Sequence, residues 1–160
     1  MQQINLYKLV LDNWYWNRFN SIRDYQKTII HLNSMSPSSL TKDFRTIQMN
    51  LGRQQGATTA ILDFIKEHKD LNIVYIGPNK HCLSNFESDL KEFYSDYKTS
   101  PKIKLYSCDN LRGCNIYNNI DIVFIDVVSY MTDRDKVYLE TLLSNLNYSY
   151  NKNQWIIKFG

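Results

Sequence analysis

The sequence predicts an α/β fold, a mostly parallel sheet with helices on both faces, and three observations carry that expectation. Apolar runs alternate with segments whose apolar residues recur every three or four positions, as strands alternating with helices do. Two of the runs, LNIVYIGPN at 71–79 and IDIVFID at 120–126, are nearly continuous, which suits strands covered on both faces. The stretch RTIQMNLGRQQGATT at 45–59 reads as strand, glycine-bounded loop and helix. In that layout the N–H groups of the loop and of the helix start face an anion.

The elements follow in order. Residues 4–19 are rich in aromatics, and Leu6, Leu9, Val10, Trp14 and Phe19 are expected to share the buried face of an N-terminal helix. Residues 21–32 predict a second helix, with Ser21 as N-cap, Asp24 three residues on, and Ile22, Tyr25, Ile29, Ile30 and Leu32 as its inner stripe. The Ser, Pro and Asn of 33–44 predict a loop. A strand is expected over 45–51. The helix that follows starts at Thr58, with Ala60, Ile61, Phe64 and Ile65 inward.

After the strand at 71–79, Asn79 is a candidate cap for a helix carrying Leu83, Phe86, Leu90, Phe93 and Tyr97, ending near the turn 98–101. IKLYS at 103–107 is a third strand, CDNLRGCNIYNN at 108–119 a polar loop, and 120–126 a fourth strand ending in Asp126. Thr132 with Asp135 opens a helix through Val137, Leu139, Leu142, Leu143 and Leu146, and QWIIKFG at 154–160 is a last strand. Right-handed crossovers then place the strand ends bearing Gly52, Gly77, Asp126 and Gly160 on one edge, where ligands bind in such sheets.

Composition agrees with a folded chain of one domain, 1–160, made of an aromatic-rich helix at 1–20 and a core at 21–160. Hydrophobic content is 43% and aromatic content 14%, which excludes a disordered class. The net charge is +3, and its excess lies in the first 60 residues, with seven Lys and Arg against three Asp and Glu. That modest excess reads as a solvated surface before it reads as a nucleic-acid face. Cys82, Cys108 and Cys114 form no CxxC pair, and with no signal peptide a reducing cytoplasm is expected. No apolar run approaches the roughly 20 residues that span a bilayer, so no membrane partner is expected.

The chemistry-bearing residues gather around the glycine-bounded loop. Gly52, Arg53, Gln54, Gln55, Gly56, Ala57, Thr58 and Thr59 match the phosphate-binding P-loop pattern, except that Lys is expected where Ala57 stands. A carboxylate at the end of an apolar strand and a hydroxyl just after the loop are the pair that holds Mg²⁺ in such proteins, which assigns Asp126 and Thr58 to the metal. Val127 occupies the place of the usual water-orienting Glu and cannot accept a proton. Losing both Lys and Glu removes most of what stabilises phosphoryl transfer. Arg53, permanently charged and inside the loop, is the candidate replacement cation and, with Asp126, the candidate catalytic residue. Gln26, which can donate and accept at once, is a candidate reader of an adenine edge. Arg112 is a candidate site or partner contact. His31, His68 and His81 have no ligand spacing, and Asp133 and Asp135 read as charges at a helix start.

Four motifs in this order, IRDYQ at 22–26, GRQQGATT at 52–59, LRG at 111–113 and IDIVFID at 120–126, resemble the ATPase domain of the tailed-phage terminase large subunit, the DNA-packaging motor. The likeness covers about residues 20–160. It implies a RecA-like P-loop NTPase fold, in which the strand at 154–159 lies between those at 45–51 and 121–126. It also implies ATP with Mg²⁺ as cofactors, and Tyr25 and Gln26 beside the adenine. Ala57 and Val127 depart from it, and the nuclease region of that family has no counterpart within these 160 residues.

Three functions are compatible with these residues. The first is a degenerate terminase-like domain, phage-encoded and at work in the infected host cytoplasm. It has weak or lost hydrolysis and acts by binding a phage or host protein or double-stranded DNA, as a monomer or an oligomer. The second is an active Mg²⁺-dependent ATPase with a deviant loop, engaged in DNA packaging or translocation. The third is a nucleic-acid-binding accessory protein that needs no nucleotide.

Overall fold

The computed structural model describes residues 5–16, 45–50, 56–94, 102–111, 120–126, 131–147 and 154–160. The expected helix at 21–32, the loop at 33–44, and Arg112, Cys114 and Val127 lie outside them. The elements are α1 (Leu6–Trp14), β1 (Thr46–Met49), α2 (Ala57–Glu67), β2 (Ile73–Gly77), α3 (Lys80–Phe93), β3 (Ile103–Ser107), β4 (Ile122–Ile125), α4 (Asp133–Asn147) and β5 (Trp155–Phe159). A single 3₁₀ turn, Cys108–Asn110, follows β3.

Among the described residues the fold is α/β, with one five-stranded sheet in the order β1-β5-β4-β2-β3. Every pairing is parallel. β5 lies between β1 and β4 as expected, with Thr46 opposite Ile156 and Val123 opposite Ile156 on its other side. The apolar runs are long because both faces are covered. Ile73, Tyr75, Ile122, Phe124, Trp155, Ile157 and Phe159 meet α1, α2 and α3 on one face. Val74, Ile76, Val123, Ile125 and Ile156 meet α4 and the segment after β3 on the other. This split follows from crossover handedness. The chain steps one way along the sheet from β1 to β2 to β3 and the opposite way from β4 to β5, so the connecting helices change face.

Local signals set the helix ends. The Asn5 side chain accepts from Lys8 N–H and caps α1. Asn79 caps α3 by accepting from Cys82 N–H at 2.9 Å. Thr132 and Asp135 form the reciprocal box that starts α4, with Asp135 N–H donating to Thr132 Oγ1 and Thr132 N–H to Asp135 Oδ2. Asp133 pairs with Lys136 on the surface.

Three expectations change. α1 buries Tyr7, Leu11 and Trp14, while Leu6, Leu9 and Val10 face outward, Leu9 at 60% exposure. Aromatic packing decides this, since Tyr7 lies 5.4 Å from Phe159 and Trp14 lies 5.2 Å from Trp155, centroid to centroid. Val137 is exposed on α4, whose inner face is Leu139, Leu142 and Leu143. α3 ends at Phe93, where Tyr94 leaves helical geometry with its N–H still on Leu90 C=O, several residues short of the expected turn.

His68, just past α2, is half-buried with its ring 4.0 Å from Tyr15 and 4.3 Å from Phe64. Burial lowers its pKa from 6.5, with Glu67 and Asp70 opposing. The unfolded chain therefore takes the proton more readily. The stability tied to a neutral His68 is complete above about pH 6.5 and is lost as the pH falls through its lowered pKa. Thermal melts from about pH 7.5 to about pH 5.5 should show the midpoint falling with acidification, and falling less in His68→Phe.

Candidate functional site

Gly77, Asp126 and Gly160 lie together at the carboxyl edge of the sheet. Asp126 N–H donates to Ile76 C=O at 3.0 Å, and Gly160 N–H to Met49 C=O at 3.2 Å. Asp126 continues β4, where alternation turns residues 122, 124 and 126 toward α2. It is only 3% exposed. Thr58, in the first turn of α2, donates its hydroxyl to Asp126 Oδ2 at 2.9 Å. The two residues assigned to a metal by sequence are thus in contact across 68 positions of chain.

Gly56 caps α2 in the left-handed region, φ +80°, and its carbonyl accepts from Ala60 N–H at 2.9 Å. The same carbonyl accepts from Asn5 Nδ2 at 2.9 Å, so the cap of α1 is tied to the start of α2. A Cβ on Gly56 would stand 2.6 Å from that Nδ2. Gly56→Ala should cost about 1–2 kcal/mol for the left-handed backbone alone. The displaced Asn5 adds to that loss, and thermal unfolding of the variant against wild type checks it.

The first turn of α2 carries no acidic residue of its own, and the carboxylate described beside it is that of Asp126, on the Thr58 hydroxyl. Ala57 sits at the place of the expected Lys and packs half-buried against the core. Thr59 is exposed. Tyr25, Gln26, Gly52, Arg53, Gln54 and Gln55 lie outside the described residues. Cys82 and Cys108 are both free thiols, and burial pushes Cys108 up to about 12.

Sequence reasoning missed Asn5 and Tyr75. The Tyr75 hydroxyl donates to Asp126 Oδ2 at 2.9 Å, beside the Thr58 hydroxyl. Burial raises the pKa of Tyr75 strongly, and the charge of Asp126 and the hydrogen bond to it add to the rise. The phenol therefore stays a donor throughout the working pH range. A tyrosine inside an apolar strand reads as core, and nothing in the local sequence points to a partner 51 positions away.

The donor set fits a hard divalent cation. Thr58 Oγ1 and Asp126 Oδ2 are both oxygens, 2.9 Å apart. Neighbouring ligands of an octahedral Mg²⁺, each at about 2.0–2.1 Å, stand about 2.9 Å from one another. Among the described residues no group of three or more His, Cys, Asp or Glu that could hold a metal ion gathers, here or elsewhere. Few protein ligands suit an ion that keeps its waters and takes the rest of its shell from phosphates. Among the described residues no helix is long and apolar enough to cross a membrane.

No family model and no curated protein matches the chain. Among solved structures it is similar to the large terminase ATPase domain of Thermus phage P74-26, at 12% identity and TM-score 0.44, over 79% of this chain and 63% of that one. A point mutant of the same domain is similar at 10% identity and TM-score 0.46, over 79% and 64%. The chain spans less than two-thirds of the length of either.

Proposed function

We propose that this chain is a terminase-like P-loop domain that holds a Mg²⁺-nucleotide complex but hydrolyses it feebly or not at all, and that it works by binding double-stranded DNA or another protein. The observation that carries the reading is the Thr58–Asp126 hydrogen bond at the start of α2. It keeps a hydroxyl and a carboxylate together on the sheet edge where ligands bind. Thr58 and Asp126 would hold a magnesium ion there, which would supply positive charge against the phosphates.

The chain's own residues account for the rest of the reading. The N–H groups of the first turn of α2, which carries no acidic residue of its own, favour a phosphate. Thr58 and Asp126 would hold the ion. Ala57 contributes a methyl group where a phosphate-bridging cation is needed, and Val127 contributes no base. Binding therefore outlasts turnover in this reading. Arg53 is the one cation inside the loop that could restore activity.

Calorimetric titration with ATP and with a non-hydrolysable analogue, with and without Mg²⁺, tests the proposal, alongside turnover assays with and without DNA. The expected result is metal-dependent binding with little or no turnover. Brisk turnover that vanishes in Arg53→Ala would replace it with the active ATPase. No binding at millimolar ATP, with DNA affinity falling steeply as salt rises, would replace it with the nucleotide-independent nucleic-acid binder.

A further inference from the structure

Tyr75 is built into the site too firmly to be core packing alone. Its ring stacks on Phe86 with centroids 3.6 Å apart and planes 6° apart. Gly77, two residues on, leaves the ring its path. A Cβ there would stand 3.3 Å from Tyr75 Cε1 and 3.5 Å from the hydroxyl oxygen. The hydroxyl is buried and ends on Asp126 Oδ2. That oxygen therefore takes two hydroxyl protons, one from Tyr75 and one from Thr58.

The two donors differ in what they can do when a cation arrives. Thr58 can turn its proton away and offer a lone pair, because rotation about its Cβ–Oγ1 bond moves the hydrogen and leaves the oxygen in place. Tyr75 cannot leave, because the stacked ring fixes where its oxygen sits. One lone pair of Oδ2 is therefore open to exchange and the other is held by the phenol, and turning the carboxylate to bring both oxygens onto one cation would pull Oδ2 away from that phenol.

We propose that Tyr75 is a positioning residue that pins Asp126 as a one-oxygen ligand and so biases the site toward Mg²⁺ and against Ca²⁺. Mg²⁺ takes carboxylates through single oxygens in a strict octahedron. Ca²⁺ accepts six to eight oxygens and readily takes both from one carboxylate. Partners that orient a ligand from behind are worth about 10–100-fold in metal affinity. The inference rests on the reading that Asp126 and Thr58 hold the metal of a bound nucleotide.

The test is calorimetric titration of wild type, Tyr75→Phe and Gly77→Ala with a non-hydrolysable ATP analogue, as its Mg²⁺ and its Ca²⁺ complex. Tyr75→Phe keeps the ring and its stack on Phe86 and removes only the pinning bond. Wild type should prefer Mg²⁺, and Tyr75→Phe should lose about 10-fold of that preference, with Ca²⁺ binding held or improved. Gly77→Ala, which keeps the hydroxyl but presses on the ring at Cε1 by a few tenths of an ångström, should shift the ratio the same way and decides the matter if Tyr75→Phe does not fold. An unchanged Mg²⁺-to-Ca²⁺ ratio in the folded variant would overturn the role of Tyr75 and leave the nucleotide reading standing. Absence of metal-dependent binding in wild type would overturn both.

Discussion

Replacing Arg45 with methionine should stabilise the protein by about 1–4 kcal/mol, the range found when buried ionic groups give way to apolar side chains of similar volume. Arg45 immediately precedes β1 and is 1% exposed. Its backbone is satisfied, since its carbonyl accepts from Ile156 N–H at 2.9 Å. Its guanidinium is not, because Nε, Nη1 and Nη2 are all buried with no hydrogen-bond partner among the described residues. Burial alone pushes its pKa down to about 10. At neutral pH the side chain remains charged, so the cost of taking the charge out of water stands. Met keeps the packing volume and removes the charge. In a chain of this size each kcal/mol moves the thermal midpoint by roughly 2–4 °C. A loss of stability in Arg45→Met would instead mean that an acidic group comes to rest on the guanidinium in solution.

Asp126 should separate stability from binding when it is replaced in two ways. In Asp126→Asn the side-chain carbonyl can still accept from Tyr75 and Thr58, so unfolding should change by about 1 kcal/mol or less. Metal-dependent nucleotide binding should nevertheless disappear, because the charge proposed to hold the cation is gone. In Asp126→Ala the buried Tyr75 hydroxyl loses its acceptor, which adds a cost of about 1–3 kcal/mol. Thermal melts of both variants, beside the titrations above, check the two halves. Binding that survives in Asp126→Asn would remove Asp126 from the metal site.

The parts of the fold legible in the sequence are those where one constraint dominates. IVYI and IVFI could only be strands covered on both faces, because an apolar run that short and that continuous has nowhere else to hide. α2 and α4 announced their starts through Gly56 and through the Thr132–Asp135 box. α1 did not announce its buried face. Leu6, Leu9 and Val10 are as apolar as Tyr7, Leu11 and Trp14, so periodicity offered two stripes, and only the rings of Phe159 and Trp155 chose between them. Val137 fails for the same reason on a smaller scale. In the candidate site, the nearness of Thr58 and Asp126 was legible because their residue types sit at fixed places relative to a loop and a strand end. Tyr75 and Asn5 were not, because each acts through a contact about 50 residues away.

The position of β5 bears on how the protein is made. It is the last of the described strands in the chain, yet it fills the gap between β1 and β4. β1 pairs with β5 and with no other described strand. While the ribosome is still synthesising residues before 155, β2, β3 and β4 can already associate, but β1 has no ladder to join. Closing contacts between segments more than 100 residues apart is slow and leaves strand edges unpaired in the meantime. The α2 start that follows β1 therefore meets Asp126 in its final setting only after the last strand is released, and a nascent chain stalled before that point would have a sheet but no site.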